Sequence, residues 1–200
     1  MTATPTTPND ATIWRHLPNA LTALRMALVV PLTWLIGDHH FNAALLIAAV
    51  AGATDALDGL IAKRFGWQSW LGGILDPIAD KLMLVGCYLS LAMIGAQPAW
   101  VTWLVVGRDV VIVLGAVAYH NFIGRVDAQP LLLSKITTCI QITFVLAQLI
   151  NLTSWFALPA LLMQTLLWAT AIFTVASGLQ YVLVWSNKAH VELAKKRSAQ

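Results

Sequence analysis

Apolar runs of about 20 residues, each closed by a short polar or turn-forming segment, repeat along almost the whole chain. They cover residues 20–37, 42–65, 72–95, 98–120, 131–152 and 158–185. Each is long enough for an α-helix to cross the roughly 30 Å hydrocarbon layer of a bilayer. Turn chemistry separates them: Gly37-Asp38-His39-His40, Gly66 to Ser69, Gly95 to Pro98, Gly124 to Pro130, and Asn151 to Pro159. The pattern predicts an all-α integral membrane protein with six transmembrane helices. Residues 1–12 are rich in Thr, Pro and Ala, carry no Lys or Arg, and lack the features of a signal or transit peptide, so a disordered tail is expected there. Ile13, Trp14 and Leu17 give the segment Ala11–Leu17 an apolar side, which predicts a short N-terminal interfacial helix. The membrane domain then occupies 13–186, followed by a basic cytoplasmic C-terminal tail, 187–200.

Composition strengthens this picture. Of 200 residues, 58% are hydrophobic and 10% charged, with a mean hydropathy of +0.73. A soluble domain carries about 25% charged residues, so little of the chain is left for one. The net charge of +3 is accounted for by loop bias and anionic lipid, and no nucleic-acid partner is implied. The loops 38–41, 96–97 and 153–157 contain no Lys or Arg, whereas Arg15, Lys63, Arg64, Arg125, Lys135, Lys188, Lys195, Lys196 and Arg197 fall at the opposite ends of the spans. The positive-inside rule places both termini in the cytoplasm. Cys87 and Cys139 lie within apolar runs and read as buried thiols, and His39 and His40 as a solvated outer turn.

Against this background the stretch DALDGLIAKRFGWQSWLGGILDPIADK, residues 55–81, stands out. Asp55 and Asp58 are three apart at the end of one predicted span, and Asp76 and Asp80 are four apart at the start of the next. On helices each pair shares a face, and the short cytoplasmic loop makes the two helices antiparallel neighbours. Four carboxylates brought together repel one another and are costly to desolvate. Divalent cations relieve both problems, and all-oxygen ligation favours Mg²⁺, Mn²⁺ or Ca²⁺. Two such ions form a clamp suited to displacement at phosphorus. Gly52, Gly59, Ala62, Gly72 and Gly73 keep the adjoining helix faces bare, for close helix packing or for close approach of a ligand. The competing reading is a set of salt bridges among the aspartates, Lys63, Arg64 and Lys81.

The spacing Asp55-x2-Asp58-Gly59-x2-Ala62-Lys63-x8-Gly72-x3-Asp76-x3-Asp80 resembles the signature of the CDP-alcohol phosphotransferases. The departure is Lys63, where that family has Arg; Lys lacks the planar fork, and Arg64 stands next to it. LPNALTALRMALVVP (17–31) resembles the first span of the phosphatidylglycerolphosphate synthase and cardiolipin synthase branch. GRDVVIVLGAV (107–117), SKITTCIQI (134–142) and LLWATAIFTVASGLQY (166–181) look most like its cardiolipin synthases. The resemblance implies a homodimeric enzyme of a bacterial cytoplasmic membrane, its active site facing the cytoplasm. Asp55, Asp58, Asp76 and Asp80 would hold two Mg²⁺ or Mn²⁺ ions, with Asp80 sharing the metals or acting as the catalytic base. Asp55, Gly59, Ala62, Lys63 and Gly72 would bind the CDP moiety of CDP-diacylglycerol. The acceptor it implies is phosphatidylglycerol, giving cardiolipin and CMP; the alternative is glycerol 3-phosphate.

Arg25, Arg108, Lys135 and Arg64 are the cations expected to hold an acceptor phosphate. Each has a plainer reading: Arg108 paired with Asp109, Arg25 and Lys135 reaching to the interface, Arg64 an ordinary loop charge. A reading from a different class is a divalent-cation transporter with the aspartates as its filter. A non-enzymatic scaffold is a third.

Overall fold

The computed structural model describes residues 9–65, 70–122, 132–153 and 155–198, with side chains described at 20–55, 75–115, 117, 132–153 and 155–188. Among the described residues there are six helices and no strand: α1 Asn9–Gly37, α2 Phe41–Phe65, α3 Trp70–Met93, α4 Ala99–Phe122, α5 Leu132–Leu152 and α6 Ala160–Ser198. Among the described residues three segments are long and apolar enough to cross a membrane, Ala20–Gly37, Leu132–Leu152 and Ala160–Lys188, and Phe41–Asp55 is a shorter apolar helix.

The helices differ from the sequence expectation at both ends of the chain. No separate interfacial helix precedes the first span: α1 runs unbroken from Asn9 through Pro18, taking in residues 9–12 of the expected disordered tail. The apolar spacing of Ile13, Trp14 and Leu17 continues into Leu21 and Leu24, one helical stripe across the proline. At the other end α6 extends to Ser198 and absorbs most of the basic tail. Beyond Gly178 the chain has no Gly or Pro, and its Ala, Glu, Leu, Lys and Arg residues favour helix.

The turn from α1 to α2 is a Schellman motif. His40 N–H donates to Leu35 O at 2.8 Å and His39 N–H to Ile36 O at 3.2 Å, which closes the last carbonyls of α1. The left-handed position is taken by His39 (φ 61°), and His40 Nδ1 sits 3.1 Å from Asp38 Oδ2. Gly95, with φ 74°, fills the equivalent place after α3.

The chain divides into two compact units, residues 1–94 and 95–200. In the first, α1 packs against both α2 and α3. Contacts between α1 and α3 keep an almost constant offset: Thr22 meets Asp76, Arg25 meets Asp80, and Val29 and Thr33 meet Gly86. A constant offset means that the two helices run parallel. Their close approach depends on Gly86, where an added Cβ would lie 2.9 Å from Thr33 Cγ2 and 3.2 Å from Val29 Cγ1. In the second unit α6 packs against α4 and α5. There α4 runs parallel to α6, as the pairs Trp100–Trp168, Arg108–Ser177 and Gly115–Trp185 record.

In both units apolar side chains such as Leu32, Leu91, Val105 and Phe144 fill the interior, yet large apolar side chains also cover the outside and polar ones are buried among the core. Val30, Trp34, Leu46, Trp103, Leu114 and Ile172 are exposed, while Thr22, Arg25, Arg108, Thr137, Gln141, Thr174 and Ser177 are buried. Apolar side chains on the outside and hydrogen-bonded polar ones within suit a lipid solvent. Cys87 is buried, but Cys139 is exposed on α5 rather than buried as its apolar run suggests. In lipid an apolar neighbourhood does not distinguish the core from the outer face.

Candidate active site

Three of the four aspartates fall within the described side chains. Asp55 is on α2, and Asp76 and Asp80 are one turn apart on α3. What joins them is α1. Thr22 and Arg25 are three residues apart and share its buried face, 1% and 3% exposed. Thr22 Oγ1 donates to Asp76 Oδ1. The two ends of the Arg25 guanidinium reach different helices: Nη2 lies 2.6 Å from Asp55 Oδ1 and Nη1 donates to Asp80 Oδ1 at 2.8 Å. The planar fork of arginine makes such a two-point bridge possible.

The burial is asymmetric. The Asp55 and Asp80 side chains are 45% and 50% exposed, against 3% for Arg25. The cation is therefore buried while the carboxylates it pairs with remain about half exposed. Three carboxylates against one guanidinium leave an excess of two negative charges within this set. Such an all-oxygen, anionic donor set suits a hard divalent cation. Among the described residues no three His, Cys, Asp or Glu side chains are grouped closely enough to form a metal site by themselves.

The side chains of Asp58, Gly59, Ala62, Lys63, Arg64 and Gly72 lie outside the described residues, although the backbone there belongs to α2 and α3. Gly52, on α2, has open space where a Cβ would project. Lys135 is exposed in the first turn of α5. Arg108 is buried within the second unit: Nη1 donates to Asp109 Oδ1 at 2.7 Å, and Nη2 donates to Ser134 Oγ at 2.6 Å and Ser177 Oγ at 2.8 Å. It thus links α4, α5 and α6, and the pairing with Asp109 weighed from the sequence is present.

Sequence reasoning gave no role to Thr22, Ser134 or Ser177. The signal was their position: small polar residues within apolar runs, at helical spacing from one another or from a charged residue.

The CDP-alcohol phosphatidyltransferase family model matches residues 15–176. Among characterised relatives, the chain is 33% identical to the cardiolipin synthase (CMP-forming) of Rattus norvegicus, over 82% of this chain and 60% of that protein. It is 30% identical to a probable phosphatidylglycerophosphate synthase of Mycobacterium tuberculosis, over 84% of this chain and 80% of the relative. It is also 30% identical to the CDP-diacylglycerol–glycerol-3-phosphate 3-phosphatidyltransferase of Bacillus subtilis, over 83% and 93%. The chain spans only 60% of the length of the rat and human cardiolipin synthases. These relatives are transferases, and the cation-transporter reading finds no support among them.

Proposed function

We propose, since the chain belongs to the CDP-alcohol phosphatidyltransferase family, that it transfers a phosphatidyl group from CDP-diacylglycerol to phosphatidylglycerol, giving cardiolipin and CMP. The observation that carries this reading is the joining of Asp55, Asp76 and Asp80 by α1, with the Asp55 and Asp80 side chains about half exposed. Asp58 completes the donor set in this proposal, and the four carboxylates hold two Mg²⁺ or Mn²⁺ ions. When bound, these ions supply positive charge against the phosphoryl oxygens and the departing CMP.

The chain's own part is binding, orientation and proton transfer. Gly59, Ala62, Lys63 and Gly72 line the CDP moiety. Asp80 accepts the proton of the acceptor hydroxyl as its oxygen bonds to the β-phosphorus and the bond from that phosphorus to CMP breaks. The guanidinium groups of Arg25 and Arg108 are engaged with protein carboxylates, so Arg64, on the helix that carries Asp55 and Asp58, is the proposed contact for an anionic acceptor. All six helices cross the membrane in this proposal, with both termini and the site on the cytoplasmic side of a bacterial inner membrane, and the enzyme is a homodimer.

A second acceptor, glycerol 3-phosphate, is favoured by the Bacillus subtilis relative, 93% of whose length the chain matches. The deciding experiment gives purified protein Mn²⁺ or Mg²⁺ and CDP-diacylglycerol, with phosphatidylglycerol, glycerol 3-phosphate, inositol phosphate or serine in parallel. Cardiolipin made only with phosphatidylglycerol is the expected result. Product from glycerol 3-phosphate alone reverses the acceptor assignment. Undiminished CMP release by folded Asp80→Asn removes the proton-transfer role.

A further inference from the structure

We infer that Arg25 is a positioning residue, a resident counter-ion that ties Asp55 of α2 to Asp80 of α3 from the buried side of the site, and not a ligand for the acceptor phosphate. Its reference to divalent ions and to an acceptor rests on the function proposed above. The bridge itself rests on geometry: one guanidinium, 3% exposed, lies 2.6 Å from a carboxylate on one helix and 2.8 Å from a carboxylate on another. A phosphate ligand needs donors directed into the substrate cavity. Here Nη1 and Nη2 each meet an aspartate oxygen, and the Arg25 side chain is 3% exposed while the Asp55 and Asp80 side chains are 45% and 50% exposed. The placement is fixed by the parallel register of α1 and α3, set two turns further along by the packing of Val29 and Thr33 on Gly86.

This arrangement has two consequences. Without divalent ions, Arg25 is the cation that lets Asp55 and Asp80 remain close together. With them, it opposes binding, because it occupies one oxygen of each carboxylate and adds a positive charge behind the site. Repulsion between cations a few ångströms apart outweighs the loss of carboxylate orientation that follows its removal. Arg25 therefore exchanges metal affinity for a site that stays assembled between metal-binding events.

The test compares wild type, Arg25→Lys and Arg25→Met in detergent, by thermal unfolding in EDTA, thermal unfolding across a Mn²⁺ titration, and Mn²⁺ binding read by electron paramagnetic resonance. Arg25→Met is expected to unfold at a lower temperature than wild type in EDTA. Its Mn²⁺-induced rise is expected to exceed that of wild type, by roughly 1.5-fold for a tenfold lower Kd with Mn²⁺ near 100 Kd of wild type, since a ligand stabilises the folded state as RT ln(1 + [L]/Kd). Arg25→Lys falls between them, because one ammonium cannot hold two carboxylates in a fork. Equal Mn²⁺ shifts in wild type and Arg25→Met overturn the inference. So does an acceptor KM raised about tenfold with stability in EDTA unchanged, the signature of a phosphate ligand. Should Arg25→Met not fold, Arg25→Met/Asp55→Asn/Asp80→Asn removes both carboxylates it pairs with; recovery of folded protein supports the counter-ion, and no recovery overturns it. A wild type that binds no Mn²⁺ and releases no CMP defeats the proposed function instead, while the EDTA comparison still decides the role of Arg25.

Discussion

Replacing Arg108 with Met tests whether the second unit is held together by a buried charge. The Arg108 and Asp109 side chains are 5% and 9% exposed, with Nη1 2.7 Å from Oδ1. The same guanidinium donates to Ser134 and Ser177, so its removal cuts links from α4 to both α5 and α6. It also leaves the Asp109 carboxylate buried without its arginine. Breaking one side of a buried ion pair costs about 3–5 kcal/mol, whereas replacing both partners with apolar residues is about neutral or stabilising. Arg108→Met should therefore lose ~3–5 kcal/mol, and Arg108→Met/Asp109→Leu should regain most of it. For a chain of this length that loss corresponds to a fall of roughly 6–20 °C in unfolding temperature.

The assay is unfolding in mixed micelles followed by tryptophan fluorescence, for which nine Trp residues give ample signal. Acceptor KM is measured on the same preparations in bilayers. Stability within about 1 kcal/mol of wild type, below the cost of breaking a buried pair, together with a strongly raised acceptor KM, would refute the reasoning. Arg108 would then be a phosphate ligand whose contact with Asp109 is incidental. A single variant and a double variant that lose equal stability would also refute it, because the penalty would not come from an uncompensated aspartate.

Gly86→Leu should cost ~1–3 kcal/mol by overpacking, because Thr33 and Val29 are β-branched and stiff where the new Cβ arrives. Gly107→Ala is the contrasting case: nothing lies within 4 Å of its added Cβ, and better helix propensity should stabilise α4 by up to ~1 kcal/mol, read by the same unfolding assay. Thr22→Val keeps the shape and removes the hydroxyl that donates to Asp76. Mn²⁺ titration should show binding weakened ~10–100-fold, opposite in sign to Arg25→Met because no charge is removed. For the proposed orientation, in a cysteine-free background, a cysteine at His39 should react with an impermeant maleimide in intact cells and one at Lys188 should not; the reverse pattern places the termini outside.

The helix ends around 37–40 and 95–98 were legible because turn-forming residues interrupt the apolar runs there, and the grouping of Asp55, Asp76 and Asp80 because charge is rare in such a chain; the turns expected at 66–69 and 124–130 lie outside the described residues. The contribution of α1 was not legible. Arg25 pairs with residues 30 and 55 positions away, and nothing in the apolar pattern says which face of α1 turns inward. Amphipathic reasoning assumes that the apolar face is the buried one. Here it does not discriminate, since Leu32 and Ile36 are buried while Val30 and Trp34 on the same helix are exposed, and Thr22 and Arg25 lie on the buried side; Cys139 was misplaced for the same reason. The polar positions carry the missing information. On α5 the buried Thr137, Gln141 and Gln148 fall four and seven apart, and on α6 Thr170, Thr174 and Ser177 fall four and three apart. The Gln141–Thr174 hydrogen bond at 2.9 Å is where the two stripes meet. Applied to α1, the same rule selects the three-residue step from Thr22 to Arg25, the face that reaches Asp55, Asp76 and Asp80. In an apolar chain the scarce polar side chain marks the interior, since lipid offers its hydrogen-bonding groups no partner and another helix does.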